Sequence, residues 1–233
     1  MLYFDPMYIL YIAPAMILAL WAQAKVKGAY QKYSRVPMRR RLTGAEVARQ
    51  VLNSFNLSEV QIEQIPGNLS DHYDPRKRVL RLSPAVYQGN SIAAAGIAAH
   101  EAGHAIQHGQ GYFPLHLRTY IYPVASLGTS AAWILLMLGL ALTYLGIVFG
   151  QAMIMLGIVL FGGYVLFALV TLPVEFNASS RALHALEGFG YLERDEVQSA
   201  RKVLNAAALT YVAAAAMAVM QMLYWISVLN RRR

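Results

Sequence analysis

The sequence predicts a mainly α-helical membrane protein, with about four transmembrane helices and a small α+β piece on one membrane face. Composition is the first observation behind this. Of 233 residues, 57% are hydrophobic and 14% charged, against about 25% charged in soluble domains. The second is that the apolar residues are blocked rather than spread. Ile121–Leu145, Ala152–Leu172 and Ala206–Leu229 contain no Asp, Glu, Lys or Arg, and each is about the twenty residues that a helix needs to cross the hydrocarbon. The third is a stretch over residues 42–90 whose apolar spacing is that of short amphipathic elements rather than of a span.

The first element is "MYILYIAPAMILALWAQA", a membrane anchor over residues 7–24 that contains Pro14. Ala22-Gln23-Ala24 resembles a signal-peptide cleavage site, which is the alternative reading. A signal peptide wants positive charge ahead of its apolar stretch, and here only Asp5 precedes it. Lys25, Lys27, Lys32, Arg35 and Arg39-Arg40-Arg41 follow it instead, which favours an uncleaved anchor.

A basic soluble α+β region, residues 25–120, comes next and carries thirteen Lys and Arg. A transmembrane helix pair follows over 121–172, joined by Gly146–Gln151 with no basic residue. Basic residues near span ends resist translocation, so the 25–120 loop is expected in the cytoplasm, with residues 173–205 on the same side. The C-terminal transmembrane helix and basic tail, 206–233, end on Arg231-Arg232-Arg233, and four spans put those charges outside. That conflict leaves the last apolar segment open to a re-entrant or surface placement. Gln221, a polar amide within it, is expected to face other helices.

The net charge of +8 sits largely beside the first span, where anionic lipid rather than nucleic acid is the expected partner. There is no cysteine, so disulfides and thiolate metal sites are excluded and any metal must use His, Asp or Glu.

Within the soluble region, "LTGAEVARQVLNSF" places Glu46 three residues after Thr43, a capping-box pattern, with Val47, Val51, Leu52 and Phe55 at helical spacing. "EVQIEQIPG" alternates from Val60 to Ile65 as a half-buried strand, "NLSDHYDPRK" supplies turn residues, and "RVLRL" at Arg78–Leu82 is a second strand. A strand pair or hairpin-like ribbon is expected. Asn90-Ser91 can then cap a helix from about Ile92 to His108, ended by Gly109.

That helix holds "AAHEAGHAIQH". His100 and His104, at i and i+4, lie one turn apart on the same face, so both imidazoles can reach one metal ion. Glu101 faces an adjacent side, where it can take a proton from the attacking water. This is the H-E-x-x-H arrangement of zinc peptidases. With six His and eight Glu in the chain, chance produces such a match on the order of half a percent of the time at this composition. His108 is too far from His100 to share the ion, about 12 Å along a straight helix, and reads as a helix-end or supporting group. The longer H-E-x-x-H-x-x-G-x-x-H pattern fails at Gln107 and Gln110, so the third ligand must come from another element.

"LPVEFNASSRALHALE" supplies it. Glu175 is the first charged residue after a long apolar stretch, just past Pro173, which can open a helix over residues 173–205 and place Glu175 in its first turn. It falls on the same side of the membrane as His100 and His104, and is the preferred third ligand of a two-His, one-Glu site. Its alternative role is a helix-start carboxylate favoured by the dipole. A ligating histidine gives its other N–H to an oxygen, for which Asn177 and Ser179 are candidates. His184, Tyr87 and Tyr112 are candidates for steadying the transition-state oxyanion.

"YFDP", "LWAQAKVK", "RLTGAEVAR", "DHYDPRKRVLRLSPAVY", "AAHEAGHAIQH" and "LPVEFNASSRAL" together resemble the YugP-type family of neutral zinc metallopeptidases of bacterial membranes. The resemblance covers nearly the whole chain. It implies that His100, His104 and Glu175 bind one Zn2+ per chain and that Glu101 is the catalytic acid/base. It also implies a gluzincin-like core held by membrane helices in the bacterial inner membrane. The wider similarity is to HtpX-type membrane proteases and, more distantly, to thermolysin. Those relatives commonly place an aspartate a turn after the third ligand, where this chain reads Asn177-Ala178-Ser179.

The expected function is a membrane-embedded zinc endopeptidase, its site facing the cytoplasm, that cuts membrane-associated proteins or peptides. The strand at Arg78–Leu82 is then expected as an edge to which an extended substrate adds. The alternative is an inactive zinc-binding membrane scaffold or partner-binding protein, which would need no general base beside its metal. A metal transporter would carry its ligands within the spans near the bilayer midplane, and these lie outside them. The oligomeric state is left open.

Overall fold

A computed structural model describes residues 5–231. Tyr3 and Phe4 of "YFDP", and Arg232 and Arg233 of the basic tail, lie outside the described residues. The elements are α1 (Pro6–Tyr33), α2 (Gly44–Ser54), β1 (Gln61–Gln64), β2 (His72–Asp74), β3 (Val79–Leu82), α3 (Pro84–Tyr87), α4 (Ile92–Gly109), α5 (Phe113–Tyr144), α6 (Phe149–Gly188) and α7 (Arg194–Asn230). Four helices, α1, α5, α6 and α7, are long and apolar enough to cross a membrane. The chain divides into two compact units.

One unit takes Met1–Trp21, His116–Leu172 and Tyr211–Arg233. Its surface carries Leu10, Ile17, Leu127, Ile134, Leu156 and Val159, all exposed, an apolar exterior that suits lipid. Inside, Leu136, Ile154, Tyr224, Trp225 and Val228 cluster. A Cβ on Gly139 would lie 2.8 Å from the Gly150 carbonyl oxygen, so small residues let α5 and α6 approach closely. Gln221 is buried, as its sequence context suggests, and among the described residues its Nε2 and the Trp225 Nε1 are buried donors with no acceptor. Arg231 Nη2 donates to Asp5 at 2.7 Å. The first of the terminal arginines is therefore charge-paired.

The second unit takes Ala22–Leu115 and Pro173–Thr210. In α2 the capping box forms: the Glu46 N–H donates to Thr43 Oγ1 at 3.2 Å and the Thr43 N–H to the Glu46 carboxylate at 2.7 Å. Val47, Ala48, Val51 and Leu52 on one face enter the core.

The sheet corrects two expectations. Its order is β1-β3-β2, with β1 parallel to β3 and β2 antiparallel to it. The polar run "NLSDHYDPRK" is not all turn: His72-Tyr73-Asp74 forms β2. Residues on both sides of it turn: Leu69 adopts φ +53° ahead of β2, and after it Asp74 Oδ1 accepts from the N–H groups of Arg76 and Lys77 and Arg78 adopts φ +52°. The hairpin therefore joins β2 to β3, and β3 is central, so it is not an edge to which substrate could add. Burial gives the reason. Val79, Leu80 and Leu82 are all buried, the near-continuous apolar pattern of a strand covered on both faces, whereas β1 is exposed except at Ile62, which packs on the core.

Ser91 caps α4, its Oγ accepting from the Ala94 N–H at 3.1 Å, and Gly111 at φ +66° follows the helix end. No helix opens at Pro173. Instead α6 runs unbroken through it, since the ring removes one N–H and deprives only the Leu169 carbonyl of its partner, which long membrane helices tolerate. Glu175 therefore sits in a helix interior, and the helix-start role for it falls away. Residues 173–205 are likewise not one helix but the end of α6, a turn, and the start of α7. Glu196 secures that turn by accepting from the N–H groups of Arg39 at 2.8 Å and Glu193 at 2.9 Å.

Candidate metal centre

The site begins with how closely α4 and α6 pack. A Cβ built on Gly103 would lie 2.6 Å from the Ala178 carbonyl oxygen and 3.2 Å from its carbon, so only glycine lets the two backbones touch here. That contact lies between His100 and His104 in sequence on one side and beside Glu175 on the other. Gly103→Ala is expected to cost about 1–3 kcal/mol through overpacking, read as a lower thermal midpoint. Gly96→Ala on the same helix is the control: its Cβ would meet nothing closer than 3.6 Å, and alanine is the better helix former.

Across this contact, Glu175 Oε2 lies 3.2 Å from His100 Nε2 and 3.6 Å from His104 Nε2. The three ligand atoms all fall within 4.8 Å of one another. Tetrahedral zinc with bonds near 2.05 Å sets its ligand atoms about 3.3 Å apart, so the two distances suit one ion. Glu175 is 2% exposed and His104 is buried.

The far side of each ring strengthens the fit. His104 Nδ1 is 3.0 Å from Gln107 Oε1 and His100 Nδ1 is 3.1 Å from Ser179 Oγ. With Nδ1–H donating to those oxygens, both Nε2 lone pairs converge on an anionic carboxylate. An Nε2–H or a bound cation can each satisfy that convergence, and two imidazoles with a carboxylate and no thiolate suit Zn2+.

Glu101 is buried beside this cluster. Burial pushes its carboxyl up to about 7, with His100 pulling it down and Glu175 and Asp71 adding to the rise. A carboxyl poised near neutrality can both take and return a proton at working pH.

The other candidates sit elsewhere. Asn177 Oδ1 accepts from Gln107 Nε2 at 2.9 Å and Arg181 Nε at 2.6 Å. His108 is at the helix end, with Nδ1 2.9 Å from the Tyr73 hydroxyl, and so serves the helix end rather than the cluster. His184 is exposed: nine residues beyond Glu175, it points about 180° round the helix. Tyr87 packs against the core, and the Tyr112 ring carries the Arg181 guanidinium at 5.7 Å. Two residues escaped the sequence reading. Gln107 showed only as a break in a longer motif, although a lone amide three residues after His104 in an otherwise alanine-rich face signals a buried polar contact. Gly103 looked like helix filler.

Over 227 residues, 97% of this chain and 98% of that protein, the chain is 44% identical to "Putative membrane protease YugP" of Bacillus subtilis (strain 168). No solved structure matches it. Residues 8–230 match the family described as "Putative neutral zinc metallopeptidase". Since the match spans almost every residue, the anchor and the motif helix alike, the chain belongs to that family.

Proposed function

We propose that the protein is a membrane-embedded zinc endopeptidase that hydrolyses peptide bonds of membrane-associated proteins or peptides. One zinc per chain is held by His100, His104 and Glu175, and the site faces the cytoplasm of a bacterial inner membrane. The observation that carries this reading is the convergence of two Nε2 atoms and the Glu175 carboxylate next to a buried Glu101. Zinc, when bound, polarises the scissile carbonyl and lowers the pKa of water toward about 7. Glu101 takes the proton of the attacking water and delivers it to the leaving amine. Ser179 and Gln107 hold the two imidazoles with Nε2 turned inward. The cytoplasmic placement rests on the exposed Lys27, Lys32 and Arg35 beside the first span, which also suit an anionic lipid surface.

The test uses an unfolded protein such as β-casein. Detergent-purified protein should cut it, lose the activity to a zinc chelator and regain it with zinc. In membrane vesicles, inverted ones should cut added casein and right-side-out ones should not. Zinc-loaded protein that never cuts casein would favour the scaffold, and cutting by right-side-out vesicles alone would reverse the topology.

A further inference from the structure

We propose that Gln107, Asn177 and Arg181 form a positioning relay that dictates which nitrogen of His104 carries the proton. It thereby presents Nε2 as a lone pair. The amide of Gln107, fully buried, uses both of its hydrogens: Nε2 donates to the Val174 carbonyl at 2.8 Å and to Asn177 Oδ1 at 2.9 Å. With the nitrogen so committed, the oxygen is the atom left to face His104, at 3.0 Å from Nδ1. An acceptor there admits only the Nδ1–H tautomer.

Asn177 is fixed in the same way. Its Oδ1 also accepts from Arg181 Nε at 2.6 Å, so the amide cannot flip without setting two donors against its own NH2. Arg181 is anchored at its far end by the Gln110 side-chain oxygen and the Tyr112 ring. Orientation is thus passed from a guanidinium, whose protonation never varies, through two amides to one imidazole. His100 instead meets a serine hydroxyl, which can rotate to donate or accept. The two histidines are therefore held by unlike means, His104 rigidly and His100 permissively.

The relay rests on the zinc reading for its purpose, but its direct readout does not need metal. In metal-free protein with 15N-labelled histidine, His104 should carry a proton on Nδ1, facing Gln107 Oε1. Gln107→Leu should mix the tautomers and weaken zinc binding roughly 10- to 100-fold. Asn177→Leu should act the same way more weakly, and Asn177→Asp, which keeps the acceptor for both donors, should stay within about twofold of the wild type. A Gln107→Leu protein with wild-type tautomer and zinc affinity overturns the relay. Should that variant fail to fold, Asn177→Leu decides alone, because its side chain is only half-buried: an unchanged tautomer overturns the proposal. A wild type that binds no zinc would remove the proposed function while leaving the tautomer result to judge the relay.

Discussion

Glu175→Ala should strip the protein of zinc. Structural zinc sites bind with roughly 10–16 kcal/mol shared among about four ligands, so one ligand carries about 3–4 kcal/mol, a loss of affinity on the order of 100- to 1000-fold. The measurement is zinc per chain after dialysis against a competing chelator. The wild type should retain about one, a stoichiometry that follows from a single three-ligand cluster among the described residues, and the variant almost none. Loss through collapse of the α4–α6 contact is separated by Glu175→Gln, which keeps the volume of a side chain that is 2% exposed but offers a much poorer ligand. Glu187→Ala, on the exposed face of the same helix, should leave zinc untouched. Undiminished zinc in Glu175→Ala would remove this carboxylate from the site.

Local chemistry was readable in the sequence wherever it was complete within a few residues. The Thr43–Glu46 box, the Ser91 cap and the extent of α4 depend on neighbours three or four positions away, and all appear as expected. The paired histidines follow from helical period alone. What failed depends on distant partners. The parallel pairing of Gln61–Gln64 with Val79–Leu82 has no local signature, and β2 hides in a run whose Asp, Asn and Ser favour turns until β3 offers it a ladder. Pro173 reads as a helix boundary because its ring costs a hydrogen bond, yet α6 continues past it. Around the candidate metal ligands, Glu175 could be found because a charge after a long apolar stretch stands out. Gln107 stood out only as a lone amide, because the partners that give it meaning, Val174 and Asn177, lie on another helix.

Glu101→Gln should leave zinc content unchanged and lower hydrolysis by about 100- to 10,000-fold, the usual share of a general base. The same substitution should also alter stability in a way that depends on pH. In the metal-free protein burial holds the Glu101 carboxyl up at about 7, from an ordinary value of 4.5. Between those two values the unfolded chain has released a proton that the folded chain still binds. Stability therefore falls as pH rises from 4.5 to 7, by up to about 3 kcal/mol, and is untouched below that window, where both states are protonated. Glutamine has no proton to lose. Metal-free Glu101→Gln should accordingly unfold at a higher temperature than the wild type above pH 7 and at the same temperature near pH 4. Retained hydrolysis would refute the base, and a pH-independent difference would mean that the carboxyl is not desolvated. If both effects appear, the chain carries at position 101 a charge that weakens its own fold, and only the reaction accounts for keeping it there.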